Sequence, residues 1–137
     1  MSVIIDTSLF VAFHDKKDEH HERASQLIES AAAGEYGLLY TSDYIFDEVV
    51  TLAVIRTGRK EISESLGKMI LGEGKPKFLV MLRVNDQAFK EAWRIFRKSD
   101  KKLSFTDCTT IALSRIYGTD SVMSFDSDFD GFLPRIS

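Results

Sequence analysis

Short apolar runs alternate along the whole chain with longer stretches of helical periodicity. Val3 to Ile5 is continuously apolar, as suits a strand buried on both faces, and it stops at Asp6. Thr7 and Ser8 are candidate caps for a helix start. A second helical stretch over 18–33 carries Ala24, Leu27, Ile28 and Ala31 on one side before Gly34 and Gly37. Leu38 to Thr41 reads as another strand, after which Ser42 or Asp43 can cap a helix with Ile45, Val49, Leu52 and Ile55 on one side. Gly58 closes it, and 60–71, with Ile62, Leu66, Met69 and Ile70 at helical spacing, forms a partner helix. The glycines and proline of GEGKP (72–76) mark a loop. Phe78 to Val84 is strand-like, and Asn85 or Asp86 opens a helix whose apolar positions are Phe89, Trp93, Ile95 and Phe96. Ser104 or Thr106 starts the next, carrying Ile111, Ala112, Leu113 and Ile116 up to Gly118, and Ser121 to Phe125 is a last strand.

Strands alternating with helices predict an α/β sandwich with a mainly parallel central sheet. The length fits one domain over 1–137, with the helical pair at 43–71 expected to project from it as a clip. With 44% hydrophobic and 28% charged residues and only two prolines, the chain is expected to fold as an ordinary globular protein. Its apolar runs fall far short of the roughly 20 residues that cross a bilayer, and no secretory pattern opens the chain, so a cytoplasmic protein is expected. Cys108 has no second cysteine to pair with, and without a histidine placed to activate it reads as a packed helix residue, not a nucleophile.

Four acids change the picture. Asp6 ends the first strand and Asp126 follows the last, and in an open parallel sheet both point to the crevice beyond the strands' carboxyl ends. Asp107 opens a helix facing the same edge. Glu48 sits inside a helix beside its apolar stripe, between Ile45 and Leu52, whereas Asp47 points about 100° away around that helix. Singly, these acids read most simply as helix caps, turn formers or surface ion-pair partners. Together they cannot all stay ionised, since two carboxylates about 4 Å apart repel by roughly 4 kcal/mol. Protonation or a divalent cation relieves that, and an all-oxygen donor set favours Mg²⁺ or Mn²⁺, whose usual chemistry is on phosphates. Setting these four acids aside turns the formal charge of −3 into +1. Arg56, Arg59 and Lys60 are then candidate phosphate contacts, with Lys75, Lys77, Arg94, Arg97, Lys98, Lys101 and Lys102 as further basic positions. His14, His20 and His21 match no zinc spacing and read as surface residues.

The blocks VIIDTS, TSDYIFDEVVTL, LSFTDCTTIALSR and SVMSFDSDFD, in this order and spacing, resemble the PIN-domain ribonucleases, and among them the toxin subunits of VapBC-type toxin–antitoxin pairs. The resemblance implies a PIN-like three-layer sandwich and an acidic pocket that binds Mg²⁺ or Mn²⁺ for endonucleolytic cleavage of RNA. Carried over by position, Asp6, Glu48, Asp107 and Asp126 are its catalytic and metal-binding acids, and Asp128 is an additional acidic position. Thr7, Ser8, Thr106 and Ser124 match small polar positions that orient ligands or water. A small antitoxin covering the site and a homodimer are further implications, with the 43–71 pair as the antitoxin's docking surface. Two other readings stay open: a PIN-like module that binds RNA or protein without cutting, and a phosphatase with Asp6 as nucleophile. The second is disfavoured because Ser8 stands where such enzymes carry another aspartate.

Overall fold

A computed structural model describes all residues from Met1 to Ser137. Its centre is a five-stranded sheet of order β3-β2-β1-β4-β5, every neighbouring pair parallel. The strands are β1 (Ser2–Ile5), β2 (Leu38–Ser42), β3 (Val80–Leu82), β4 (Ser121–Met123) and β5 (Arg135–Ile136). Six helices flank them: α1 (Thr7–His14), α2 (His21–Ala32), α3 (Asp43–Thr57), α4 (Lys60–Leu71), α5 (Asp86–Lys98) and α6 (Phe105–Tyr117). Val3, Ile4 and Ile5 are fully buried, so both faces of β1 are covered and its unbroken apolar run is explained.

The strand order fixes where a site can form. From β1 the chain steps outward to β2 and β3, then returns to place β4 on the other side of β1. The crevice therefore opens at the carboxyl ends of β1 and β4, the point where the order reverses. There Ile5 lies in register with Met123, and the Asp6 amide donates to the Met123 carbonyl at 3.1 Å.

Several elements differ from the sequence expectation. Asp6 itself caps α1, its carboxylate accepting from the Ser8 amide, so Thr7 and Ser8 lie inside the helix. The strand expected over Phe78 to Val84 pairs only at Val80–Leu82, and the one expected over Ser121 to Phe125 ends at Met123. On α3 the buried side is Ile45, Val49 and Ala53, whereas Ile55 is 70% exposed. On α5 the buried residues are Ala88, Ala92 and Ile95, and the aromatic positions Phe89, Trp93 and Phe96 stand at the surface. Small residues win there because α5 packs closely along α6, whose residues from Asp107 to Ser114 are all buried.

The pair at 43–71 is tied to the main core through Ile45, Val49, Ala53, Leu66 and Ile70. Its helices meet at Gly67, where an added Cβ would lie 3.3 Å from Val50 Cγ1, a contact tight enough that the Val50 side chain would have to shift. Strand β5 gave no pattern in the sequence. An ion pair between Arg135 Nε and Asp130 Oδ1 at 2.9 Å and a hydrogen bond from Arg135 to the Ser124 carbonyl fasten it beside β4. Asp130 is thus the ion-pair partner of Arg135.

Candidate active site

Asp6, Glu48, Asp107 and Asp126 line one cavity of about 390 Å³ at the reversal point of the sheet. Each arrives on a different segment: the end of β1, the second turn of α3, the first turn of α6, and the chain leaving β4. Asp6 is the most deeply set, with 3% of its surface exposed. Its Oδ2 accepts from Ser124 Oγ at 2.8 Å and from Ser8 Oγ at 3.2 Å. Its Oδ1 is buried with no partner at all, as is the neighbouring Thr7 Oγ1. Buried polar atoms are nearly always satisfied, so an orphaned carboxylate oxygen on a residue that lines the cavity calls for an occupant.

Burial pushes the Asp6 carboxyl up to about 6, and the Glu48 charge adds to the rise; the Ser124 hydroxyl and the Thr7 and Ser8 amides oppose it. Asp107 is pushed up to about 7, first by burial and then by the charge on Asp6, with a smaller push from Asp126. It is also the reciprocal partner of Ser104 in a capping box: Asp107 Oδ2 accepts from the Ser104 amide at 3.0 Å, and Ser104 Oγ accepts from the Asp107 amide at 3.0 Å. One residue thus starts the helix and faces the cavity. Burial likewise pushes the Cys108 thiol up to about 11, away from nucleophilic use.

The hydroxyls divide. Ser124 links two acids, donating to Asp6 while its Oγ accepts from the Asp126 amide at 3.0 Å. Ser8 accepts from the Phe125 amide at 2.9 Å and lies 3.1 Å from Ser124 Oγ, so it braces the same turn. Thr106 does not line the cavity; its carbonyl accepts from Thr109 and Thr110 within α6. Asp128 is also outside the lining, its amide donating to Asp126 Oδ1 at 2.9 Å. Removing the bridging hydroxyl in Ser124→Ala is expected to lower any activity that uses Asp6 about 10- to 100-fold, the usual scale for losing a hydrogen bond that orients a functional carboxylate. Unchanged turnover in that variant would show that the bridge orients nothing.

Of the basic candidates, Arg56 lines the cavity, and so does Lys102. Arg59 instead pairs with Glu61 at 2.7 Å, and neither it nor Lys60 reaches the cavity wall. Several lining residues escaped the sequence reading of this pocket, among them Asp18, a fifth acid, Ser104 as a wall residue, Phe125 and His20. Loop 15–20 folds back so that the His20 ring stacks on Phe125, with centroids 4.3 Å apart and planes within 9°. No three carboxylate, histidine or cysteine side chains converge on one ion-sized point. The donor set nevertheless fits a hard divalent cation: only carboxylates, two of them held protonation-prone by burial and neighbouring charge, and one oxygen without a partner.

The fold and its acidic crevice define a class of α/β proteins that gather carboxylates where the strand order reverses. The PIN domain model matches residues 3–132, and the chain belongs to the PIN-domain family. It is 28% identical over 141 residues to a VapC ribonuclease of Archaeoglobus fulgidus, covering 99% of this chain and 83% of that one. It is 24% identical over 128 residues to the 23S rRNA-specific endonuclease VapC20 of Mycobacterium tuberculosis, covering 93% of this chain and 91% of that one. The crystal structure of VapC20, described as a sarcin–ricin loop cleaving toxin, superposes with a TM-score of 0.83 at 25% identity, over 96% of each chain. VapBC2 from Rickettsia felis, bound to a DNA fragment from its promoter, shares the fold at a TM-score of 0.69 and 13% identity, over 99% of this chain and 98% of that one.

Proposed function

We propose that this protein is a metal-dependent endoribonuclease and the toxin of a toxin–antitoxin pair. The observation that carries the reading is the convergence of four carboxylates from four segments on one cavity, with Asp6 Oδ1 buried and unpartnered. Likeness to VapC ribonucleases over nearly the whole chain supports the substrate class.

Asp6, Asp107 and Asp126 would hold Mg²⁺ or Mn²⁺, with Glu48 as a further ligand or as the group that orients the attacking water. Such an ion, when bound, neutralises phosphate charge and lowers the pKa of a coordinated water. The chain's own residues do the rest. Ser124 and Ser8 hold Asp6 Oδ2, leaving Oδ1 without a partner. Ser104 fixes Asp107 through the capping box. Arg56 and Lys102 supply positive charge at the cavity wall for the backbone flanking the scissile phosphate.

The partners follow from the same reading. A small antitoxin would cover the pocket, presenting a basic side chain to the acids. The exposed Val54, Ile55 and Leu71 support the 43–71 pair as its docking surface. The exposed Phe89, Trp93 and Phe96 support a homodimer through α5. No helix is long and apolar enough to cross a membrane.

The test is incubation of the purified protein with a panel of structured and unstructured RNAs, in Mn²⁺ and in EDTA. Discrete fragments that appear only with the metal are expected. Equal cutting in EDTA would overturn the metal assignment, and intact RNA throughout would overturn the nuclease.

A further inference from the structure

We propose that His20, backed by Phe125, is a base-stacking residue that sets which nucleotide enters the acidic pocket. This rests on the nuclease reading above for the nature of the ligand, but on separate residues. The two rings stack nearly parallel, 4.3 Å apart, and both belong to the wall of the cavity that the four acids line. Phe125 lies between Ser124 and Asp126, and its amide donates to Ser8 Oγ at 2.9 Å, so its ring is placed by the network that places Asp6. His20 is held from the other side. Its amide donates to Asp18 Oδ1 at 2.8 Å, and Nε2 lies 3.3 Å from the Glu19 carboxylate.

Phe125 covers one face of the imidazole, yet 45% of the His20 side chain remains exposed, which leaves area that the stack does not cover. A flat ring backed by a second aromatic and still partly exposed, in the wall of a pocket that Arg56 and Lys102 also line, matches what a nucleobase requires. The cations take the phosphodiester backbone while the ring takes the π-face of the base next to it. Bases inside a duplex have both faces occupied by their neighbours. The platform therefore accepts a nucleotide that is unpaired or turned out of its stack. The histidine-bearing segment thereby contributes selection, while the carboxylates contribute chemistry.

The test uses the full-length protein and a series of single-stranded oligoribonucleotides in which 2-aminopurine is moved one position at a time. Stacking on an aromatic ring lowers the fluorescence of this base. With Asp107→Asn protein, which holds the RNA uncut, quenching is expected at one position. Adding His20→Ala should abolish that quench, and adding His20→Phe should keep it. In the otherwise unaltered protein, His20→Ala is expected to raise KM about tenfold, with a smaller change in kcat, and His20→Phe to restore it. Quenching absent at every position, quenching that survives His20→Ala, or a His20→Phe protein as impaired as His20→Ala would each overturn the proposal. A protein that quenches the probe through His20 yet cuts no RNA keeps the stack and overturns the nuclease, so the two failures are distinguishable.

Discussion

Asp6→Asn and Asp107→Asn are each expected to reduce RNA cleavage by roughly a thousandfold or more, that is about 4 kcal/mol at 1.4 kcal/mol per decade, while leaving the protein folded. The activity loss follows from position. Asp6 carries the one carboxylate oxygen that is buried without a partner, and Asp107 lines the same cavity. Folding survives because the neutral amide keeps what the fold uses. In Asp6→Asn the remaining side-chain oxygen can still accept from Ser124 and Ser8, and in Asp107→Asn it can still accept from the Ser104 amide. Neither substitution leaves a charge buried alone. The measurement pairs cleavage of a susceptible RNA in Mn²⁺ with a thermal melt of each variant. Metal-dependent cutting at wild-type rates by both proteins would remove these acids from the chemistry.

Asp6, Asp107 and Asp126 were legible in the sequence because each ends or begins an element, and elements end on recognisable residues; Glu48, inside α3, was legible as a charge beside an apolar stripe. Asp6 breaks a β-branched run, and Asp107 stands three residues after Ser104 in a capping box. A parallel sheet then brings such positions together without any further signal. What was not legible depends on packing distance or on a loop's return path. The aromatic spacing of Phe89, Trp93 and Phe96 looks like a core stripe, yet the close approach of α5 to α6 is made by Ala88 and Ala92. Periodicity locates a face but not which neighbour is near enough to demand small side chains. His20 is a polar residue in a polar run, and its place in the pocket wall emerges only once residues 15–20 bring its ring onto Phe125. Strand β5, two residues long, is too short to show alternation and is held by Arg135 instead.

The same geometry that makes the site usable makes the metal-free protein carry a cost, and that cost has a sign. In the unfolded chain Asp6 and Asp107 titrate near 3.8, but folding raises them to about 6 and about 7. Between these values the folded state holds protons that the unfolded state has released, so raising the pH favours unfolding. Below about pH 4 both states are protonated and nothing is lost; the penalty grows from there and is complete just above pH 7. Two to three pKa units correspond to on the order of 3 kcal/mol for either group, and the two do not simply add, since Asp6 is itself a cause of the Asp107 shift. In EDTA, therefore, the thermal midpoint is expected to fall by roughly 10 °C between about pH 5 and about pH 8. Asp6→Asn should flatten that slope twice over, by deleting one titrating group and by relieving its neighbour. Because a divalent ion replaces the protons as the source of compensating charge, Mn²⁺ is expected to raise the midpoint at about pH 8 far more than at about pH 5. A midpoint equally high at both pH values in EDTA, or a slope unchanged in Asp6→Asn, would mean that these carboxylates do not crowd one another, and the case for a cation between them would fall with it.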